Sequence, residues 1–150
     1  MYQRILVPID GSSAAQRGLD EAIRLARAGG GTLCLLHVLD YAPFMIGVAD
    51  AATWQTLRDG LEQQGRALLE QAHARTQAAG VDSEVRLEDG PGRVCDVIVA
   101  HAAAHRCDLV VMGTHGRRGW RHAMIGSDAE RTVRESPVPV LLVRAPDAAG

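Results

Sequence analysis

The stretch Val110–Arg131, VVMGTHGRRGWRHAMIGSDAER, passes from an apolar run into a glycine-rich basic loop and leaves it through an amphipathic segment. Gly113, Gly116, Gly119 and Gly126 punctuate it, and Arg117, Arg118, Arg121, His115 and His122 supply its charge. Glycine lets backbone N–H groups approach an anion closely, and a helix beginning at Ser127 adds unpaired donors and the positive end of its dipole. Phosphate is the natural guest of such a loop. The same residues also allow a plain turn. Ser127 and Glu130 have the S-x-x-E spacing of a capping box, which needs no ligand, and loop arginines are often simply solvated. The glycines match neither the GK[ST] ending of a Walker loop nor the G-x-G-x-x-G spacing of a dinucleotide site. The loop by itself leaves both readings open.

Its surroundings set the fold. DLVVMG (108–113), ahead of the loop, is a short apolar run of the kind that forms a strand buried on both faces. RILVPI (4–9) and TLCLLHV (32–38) have the same character, SEVRLE (83–88) alternates like a strand nearer an edge, and VPVLLV (138–143) closes the series. Helical patterns lie between them. Ser12 or Ser13 caps the first, with Ser13 and Gln16 spaced as a capping box, and Gly29–Gly31 stops it. A long helix over 53–79 carries Leu57, Leu61, Leu68, Leu69 and Ala72 on one side. A third over 93–105 turns Val94, Val97, Ile98 and Ala102 inward, and a short one spans 127–135. Strands that alternate with helices demand parallel pairing through right-handed crossovers. The expectation is a single α/β domain over 1–150, a doubly wound five-stranded parallel sheet. In such sheets ligands sit at the carboxyl ends of the strands, where the strand order reverses.

Composition narrows the class. Aromatic residues make up 3% of the chain, so the core is aliphatic. A net charge of −2 argues against bulk binding to nucleic acid or to an anionic membrane. The amino terminus enters a strand pattern without a signal-type apolar segment, and no run of about 18 apolar residues occurs. Cys34, Cys95 and Cys107 form no CxxC pair and read as reduced thiols. A cytoplasmic protein is expected.

Gly113-x2-Gly116-x9-Gly126-Ser127 resembles the nucleotide-binding motif G-2x-G-9x-G-(S/T) of the universal stress protein family. ILVPIDGS, LLHV, DLVVMGTHGR and SPVPVLLVR fall in family order, so the resemblance covers essentially the whole chain. It implies strand order 3-2-1-4-5 and ATP as ligand, with Mg²⁺ as a candidate companion. It places Pro8, Ile9 and Asp10 at the end of the first strand beside the adenosine, and Val38 against adenine. Met112 and Gly113 then flank the ribose and first phosphate, while Gly116, Arg117, Gly126 and Ser127 hold the phosphate chain. A homodimer through strand 138–143 is implied as well. That strand's apolar character, with Pro137 and Pro139 unable to donate to a ladder, independently marks it as an edge needing cover.

Asp128 departs from the family pattern, in which a small apolar residue commonly follows the Gly-Ser. An unneutralised carboxylate 4 Å from a phosphate costs about 1–4 kcal/mol, unless it points away or holds Mg²⁺. Asp10, next to Gly11, has a turn-forming reading alongside its ribose-facing one. His101, His105 and Cys107 suggest a metal set, but no fourth ligand of suitable spacing is visible and that helix end reads as exposed, so no metal is expected. The functional reading is an ATP-binding regulatory module of the stress response that acts on an unidentified protein partner. A slow ATPase or phosphotransferase and an interaction module without nucleotide are the alternatives.

Overall fold

The computed structural model describes residues 1–90, 92–114 and 125–144. Its elements are β1 (Arg4–Pro8), α1 (Ser13–Gly29), β2 (Thr32–Val38), α2 (Ala51–Ala78), β3 (Ser83–Glu88), α3 (Val94–Ala104), β4 (Leu109–Gly113), α4 (Ser127–Glu135) and β5 (Val140–Val143). The strands form one parallel sheet in the order β3-β2-β1-β4-β5. One face packs Ile5, Val7, Leu33, Leu35, Leu109 and Val111 against Leu19 and Ala22 of α1 and Leu69 and Ala72 of α2. The other packs Leu6, Cys34, Leu36 and Val110 against Ile98 and Ala102 of α3. Ile5, Leu6 and Val7 are all fully buried, as a central strand covered on both sides requires.

The sheet splits at one point. β1 pairs with β2 from Arg4 to Pro8, but with β4 at Ile5 and Leu6 alone. Asp108 ties the lower end shut, its carboxylate accepting from the backbone N–H of Gln3 (2.7 Å) and Arg4 (3.0 Å). The upper end opens because of Pro8. The Ile9 N–H donates to the Leu36 carbonyl at 2.7 Å, toward β2. By strand alternation the nitrogen of residue 8 faces β4, and proline has no hydrogen to give it.

Several boundaries differ from the sequence expectation. α1 is capped by Ser12, whose Oγ accepts from the Ala15 N–H at 3.1 Å. Ser13 is already helical, and the Gln16 side chain accepts from Arg75 of α2, so the Ser13–Gln16 box does not form. α4 begins one residue earlier than a Ser127 cap requires. Gly126, with extended ψ of 149°, is the capping residue, and Glu130 pairs with Arg134 at 2.9 Å. α2 starts at Ala51 because the Asp50 carboxylate accepts from the Thr53 N–H at 2.7 Å. Its buried line is Gly65, Leu69, Ala72 and Thr76; Leu57, Leu61 and Leu68 are half-buried. On α3, Val94 and Val97 are half-buried while Cys95 and His101 take buried places. β5 is shorter than 138–143, since Pro139 contributes only a carbonyl, which accepts from Val110 at 3.0 Å.

Gly113 ends β4 where the first turn of α1 crosses it. A Cβ at this position falls 1.8 Å from the Ala14 carbonyl oxygen, and one at Gly18 falls 3.1 Å from the Gly113 nitrogen. Backbone lies against backbone here, so neither partner has a rotamer with which to yield. Gly113→Ala is therefore expected to cost about 3 kcal/mol or more in urea unfolding, and Gly18→Ala clearly less, because overpacking typically costs about 1–3 kcal/mol where neighbours can shift. Equal, small losses in the two variants would show that the contact is slack.

Candidate functional site

Above the split, the carboxyl ends of β1, β2 and β4 border a cleft of about 320 Å³. Pro8, Ile9 and Asp10 line it from β1, Leu36 to Asp40 from β2, and Met112 and Gly113 from β4. Leu61, Gln64 and Leu68 of α2 close one side; Val94 and Ile98 of α3 and Asp128 and Ala129 of α4 close the other. This is a concave pocket with polar and apolar surface in similar measure, at the point where strand order reverses.

Most of the residues expected at a site therefore come together: Pro8, Ile9, Asp10, Val38, Met112, Gly113 and Asp128 share one lining. Gly126 and the exposed Ser127 immediately precede Asp128, outside that lining. With Gly126 as the cap, the Ser127 hydroxyl is not used in capping. Gly116 and Arg117, like His115, Arg118, Arg121 and His122, lie outside the described residues. The root of their loop is fixed. Buried Thr114 donates its N–H to Val143 at 2.9 Å, and its carbonyl accepts from Arg17 of α1 at 3.1 Å.

The turn reading of Asp10 holds, and the residue lines the cleft. One carboxylate oxygen accepts from the Ser12 N–H at 2.9 Å, the turn role, and this fixes the side chain on the cleft's rim. Asp40 repeats the arrangement after β2, accepting from the Ala42 N–H at 3.1 Å, and lines the cleft as well. Asp128 stands near Cys95 at the start of α4. The Cys95 thiol is pushed above its ordinary value first by burial and then by the Asp128 charge, while Asp128 itself is exposed on the cleft's rim.

Sequence reasoning missed His37, Asp40 and the α2 wall. His37 lies in β2 on the face of Leu33 and Leu35, and its Nδ1 stands 2.6 Å from the Ile9 carbonyl. A carbonyl only accepts, so Nδ1 carries the hydrogen and donates, which fixes the tautomer and leaves Nε2 as an acceptor. A signal was present: a histidine inside an otherwise apolar strand, and an aspartate closing HVLD as Asp10 closes VPID. Leu61 and Leu68 appear as helix-face leucines; both wall the cleft, and Leu68 also packs against the core.

The fold and site define a doubly wound α/β protein with a switch-point cleft able to hold a small ligand. The sequence model of the Universal stress protein family matches residues 1–144, and the chain belongs to that family. A universal stress protein of Methanocaldococcus jannaschii is 30% identical over 146 residues, 97% of this chain and 84% of that protein. The crystal structure of a universal stress protein family member from Burkholderia pseudomallei is 33% identical and superposes with a TM-score of 0.79, covering 96% of this chain and 97% of that one. A universal stress protein crystallised in complex with cAMP is 29% identical, with a TM-score of 0.70 over 95% of this chain and 97% of that one.

Two glycines of α2 separate site packing from helix propensity. A Cβ at Gly65 falls 2.5 Å from Cδ2 of the His37 ring; one at Gly60 meets nothing within 4 Å. Gly60→Ala is expected to stabilise by about 0.5–1 kcal/mol, the ordinary helical preference for alanine. Gly65→Ala gains the same preference but must displace the ring, for a net loss of about 1–2 kcal/mol. Thermal or urea unfolding checks the opposite signs, and a stabilised Gly65→Ala would show that His37 is free to move.

Proposed function

We propose that the cleft binds an adenine nucleotide, ATP, and that the protein acts as a nucleotide-responsive regulatory module of the stress response in the cytoplasm. The observation that carries this reading is the shared lining of Asp10, Val38, Met112 and Gly113 at the split of the sheet. Its size and chemistry suit a nucleoside. The volume of about 320 Å³ falls at the lower end of small-ligand pockets, which span roughly 300–1,000 Å³. Val38, Leu39, Ile98 and Met112 offer apolar surface for a base, and Asp10 and Asp40 offer carboxylate oxygens for sugar hydroxyls. The phosphates would extend toward the α4 N-terminus, where Gly126 and Ser127 offer donors. The relative crystallised with cAMP supports an adenine nucleotide as the ligand class. Mg²⁺ would neutralise the phosphates and meet Asp128 as an oxygen ligand.

Slow hydrolysis is the second reading, favoured because Asp10 and Asp128 share the lining and either could orient a water. The absence of a helix long and apolar enough to cross a membrane, among the described residues, agrees with a cytoplasmic setting.

Calorimetric titration with ATP tests the main reading. The parent protein should bind, and Asp10→Ala should weaken binding about ten- to a hundredfold, the worth of a hydrogen bond to a charged group. Asp128→Ala should tighten binding without Mg²⁺ if the carboxylate repels phosphate, and weaken it with Mg²⁺ if it holds the metal. A parent protein that binds no ATP in either condition removes the nucleotide reading. Phosphate release over the same range separates binding from turnover.

A homodimer through β5 belongs to the same proposal. β5 pairs with β4 on one side, and Leu141 is 37% exposed. An identical strand, antiparallel across a two-fold axis, covers this edge with its own complement. Light scattering at micromolar concentration should show a dimer, and Leu141→Lys should convert it to monomer. A parent protein that runs as a monomer counts against the interface.

A further inference from the structure

On the sheet face opposite the α1–α2 layer, three side chains converge beyond the cleft. His101 and His105 stand one turn apart on α3, their rings stacked with centroids 3.9 Å apart and planes inclined by 22°. Glu88, at the end of β3, places Oε1 3.3 Å from the His101 Nδ1. One ligand atom from each of the three lies within 4.8 Å of the other two. The expectation that this end of the helix is exposed fails: His101 is 4% exposed, packed between Cys34 and Glu88. Cys107 is not part of the group. It is buried and lies outside the group of ligand atoms that Glu88, His101 and His105 bring together.

We propose that Glu88, His101 and His105 form a binding site for a divalent transition metal, with Zn²⁺ the best fit. Zn–N and Zn–O bonds of about 2.0–2.2 Å at a tetrahedral angle set ligand atoms about 3.3–3.5 Å apart, which is the Glu88–His101 separation. Histidines four residues apart on one helical face are the usual two-point chelate for this ion. The opposite nitrogen of His101 has a partner that orients the ring: Nε2 stands 3.4 Å from the Cys34 sulfur. Nδ1 faces the Glu88 carboxylate, toward which its hydrogen points; a bound metal replaces that proton, which leaves to solvent, and the sulfur lies off the far edge of the ring.

The charge pattern agrees. Arg86, on the same face of β3, is held by Glu84 at 2.7 Å, and Glu84 also pairs with Arg4. Among the described residues the Glu88 carboxylate has no arginine or lysine partner; its ionic contact is His101. Among these residues Arg86 is the cation nearest the imidazoles and is engaged by Glu84, so the half-buried Glu88 carboxylate has no basic side chain of its own and a metal would bring that charge. Glu88 and His105 are partly exposed, which leaves an entry path and an open coordination position for water.

Zinc titration of the full, untagged chain after chelator treatment, by calorimetry with a competing chelator, tests the site. One Zn²⁺ per chain is expected, with a rise in the melting temperature. Glu88→Gln and His105→Ala should each weaken binding at least tenfold while leaving the far-ultraviolet circular dichroism unchanged. Both positions are partly exposed, so neither change empties the core, as removal of His101 would. Cobalt should replace zinc and give a visible d–d spectrum without a sulfur charge-transfer band. The assignment fails if the parent chain binds no Zn²⁺, if both variants bind like the parent, or if a sulfur band appears that Cys34→Ser abolishes.

Discussion

The missing hydrogen on one nitrogen shapes the upper half of this molecule. Pro8 occupies the position in β1 whose N–H would continue the ladder to β4, and the pairing stops at Leu6 and Val110. Below that point the sheet is continuous and Asp108 clamps the two strands. Above it they part, and α1 starts in the opening, its first turn pressed against Gly113. The cleft is the space that remains. Its walls are positioned by the same contacts: the Asp10–Ser12 turn feeds α1, and Arg17 of that helix holds the carbonyl of Thr114 where the basic loop departs.

Gly113 thus has two demands on it. A loop that presents backbone donors to phosphate favours glycine, and so does a strand end that must lie against the Ala14 carbonyl with no space for a side chain. The second demand exists without any ligand. A glycine in a nucleotide motif is for this reason weaker evidence of binding than Asp10 or Asp40, whose carboxylates stand on the cleft's rim with one oxygen fixed by a turn.

How much was legible follows from what sequence patterns encode. The strands stood out because a parallel sheet buries both faces and leaves apolar runs such as ILV and LCLL. The register, and so the order 3-2-1-4-5, is not written in any one run; it came from the family resemblance and is met by the pairing. Of the two serines offered for the first cap Ser12 takes it, and Gly126 rather than Ser127 caps α4; Ser13 and Ser127 are helical, and spacing alone does not choose between neighbours. His37, Asp40 and Glu88 were missed for one shared reason. Each acts through a partner distant in sequence, Ile9 and Gly65 for His37, the cleft for Asp40 and α3 for Glu88, and local periodicity carries no information about such neighbours.

Glu88 also joins the two faces. Its side chain meets His101, while its backbone carbonyl accepts the Leu39 N–H at 2.9 Å. Leu39 lies between Val38 and Asp40, all three in the cleft lining. A shift of the β3 end that moves the carboxylate relative to α3 therefore moves the peptide that carries the cleft's second acidic rim. Any coupling between a metal at Glu88 and a ligand in the cleft would run through this hydrogen bond, and thermodynamic linkage would make it equal in both directions. Its size depends on how firmly β3 is otherwise held. β3 is held along its whole length: the Arg4–Glu84 pair and the His73–Ser83 contact (2.7 Å) anchor its beginning, and pairing with β2 runs on to Glu88 opposite Val38.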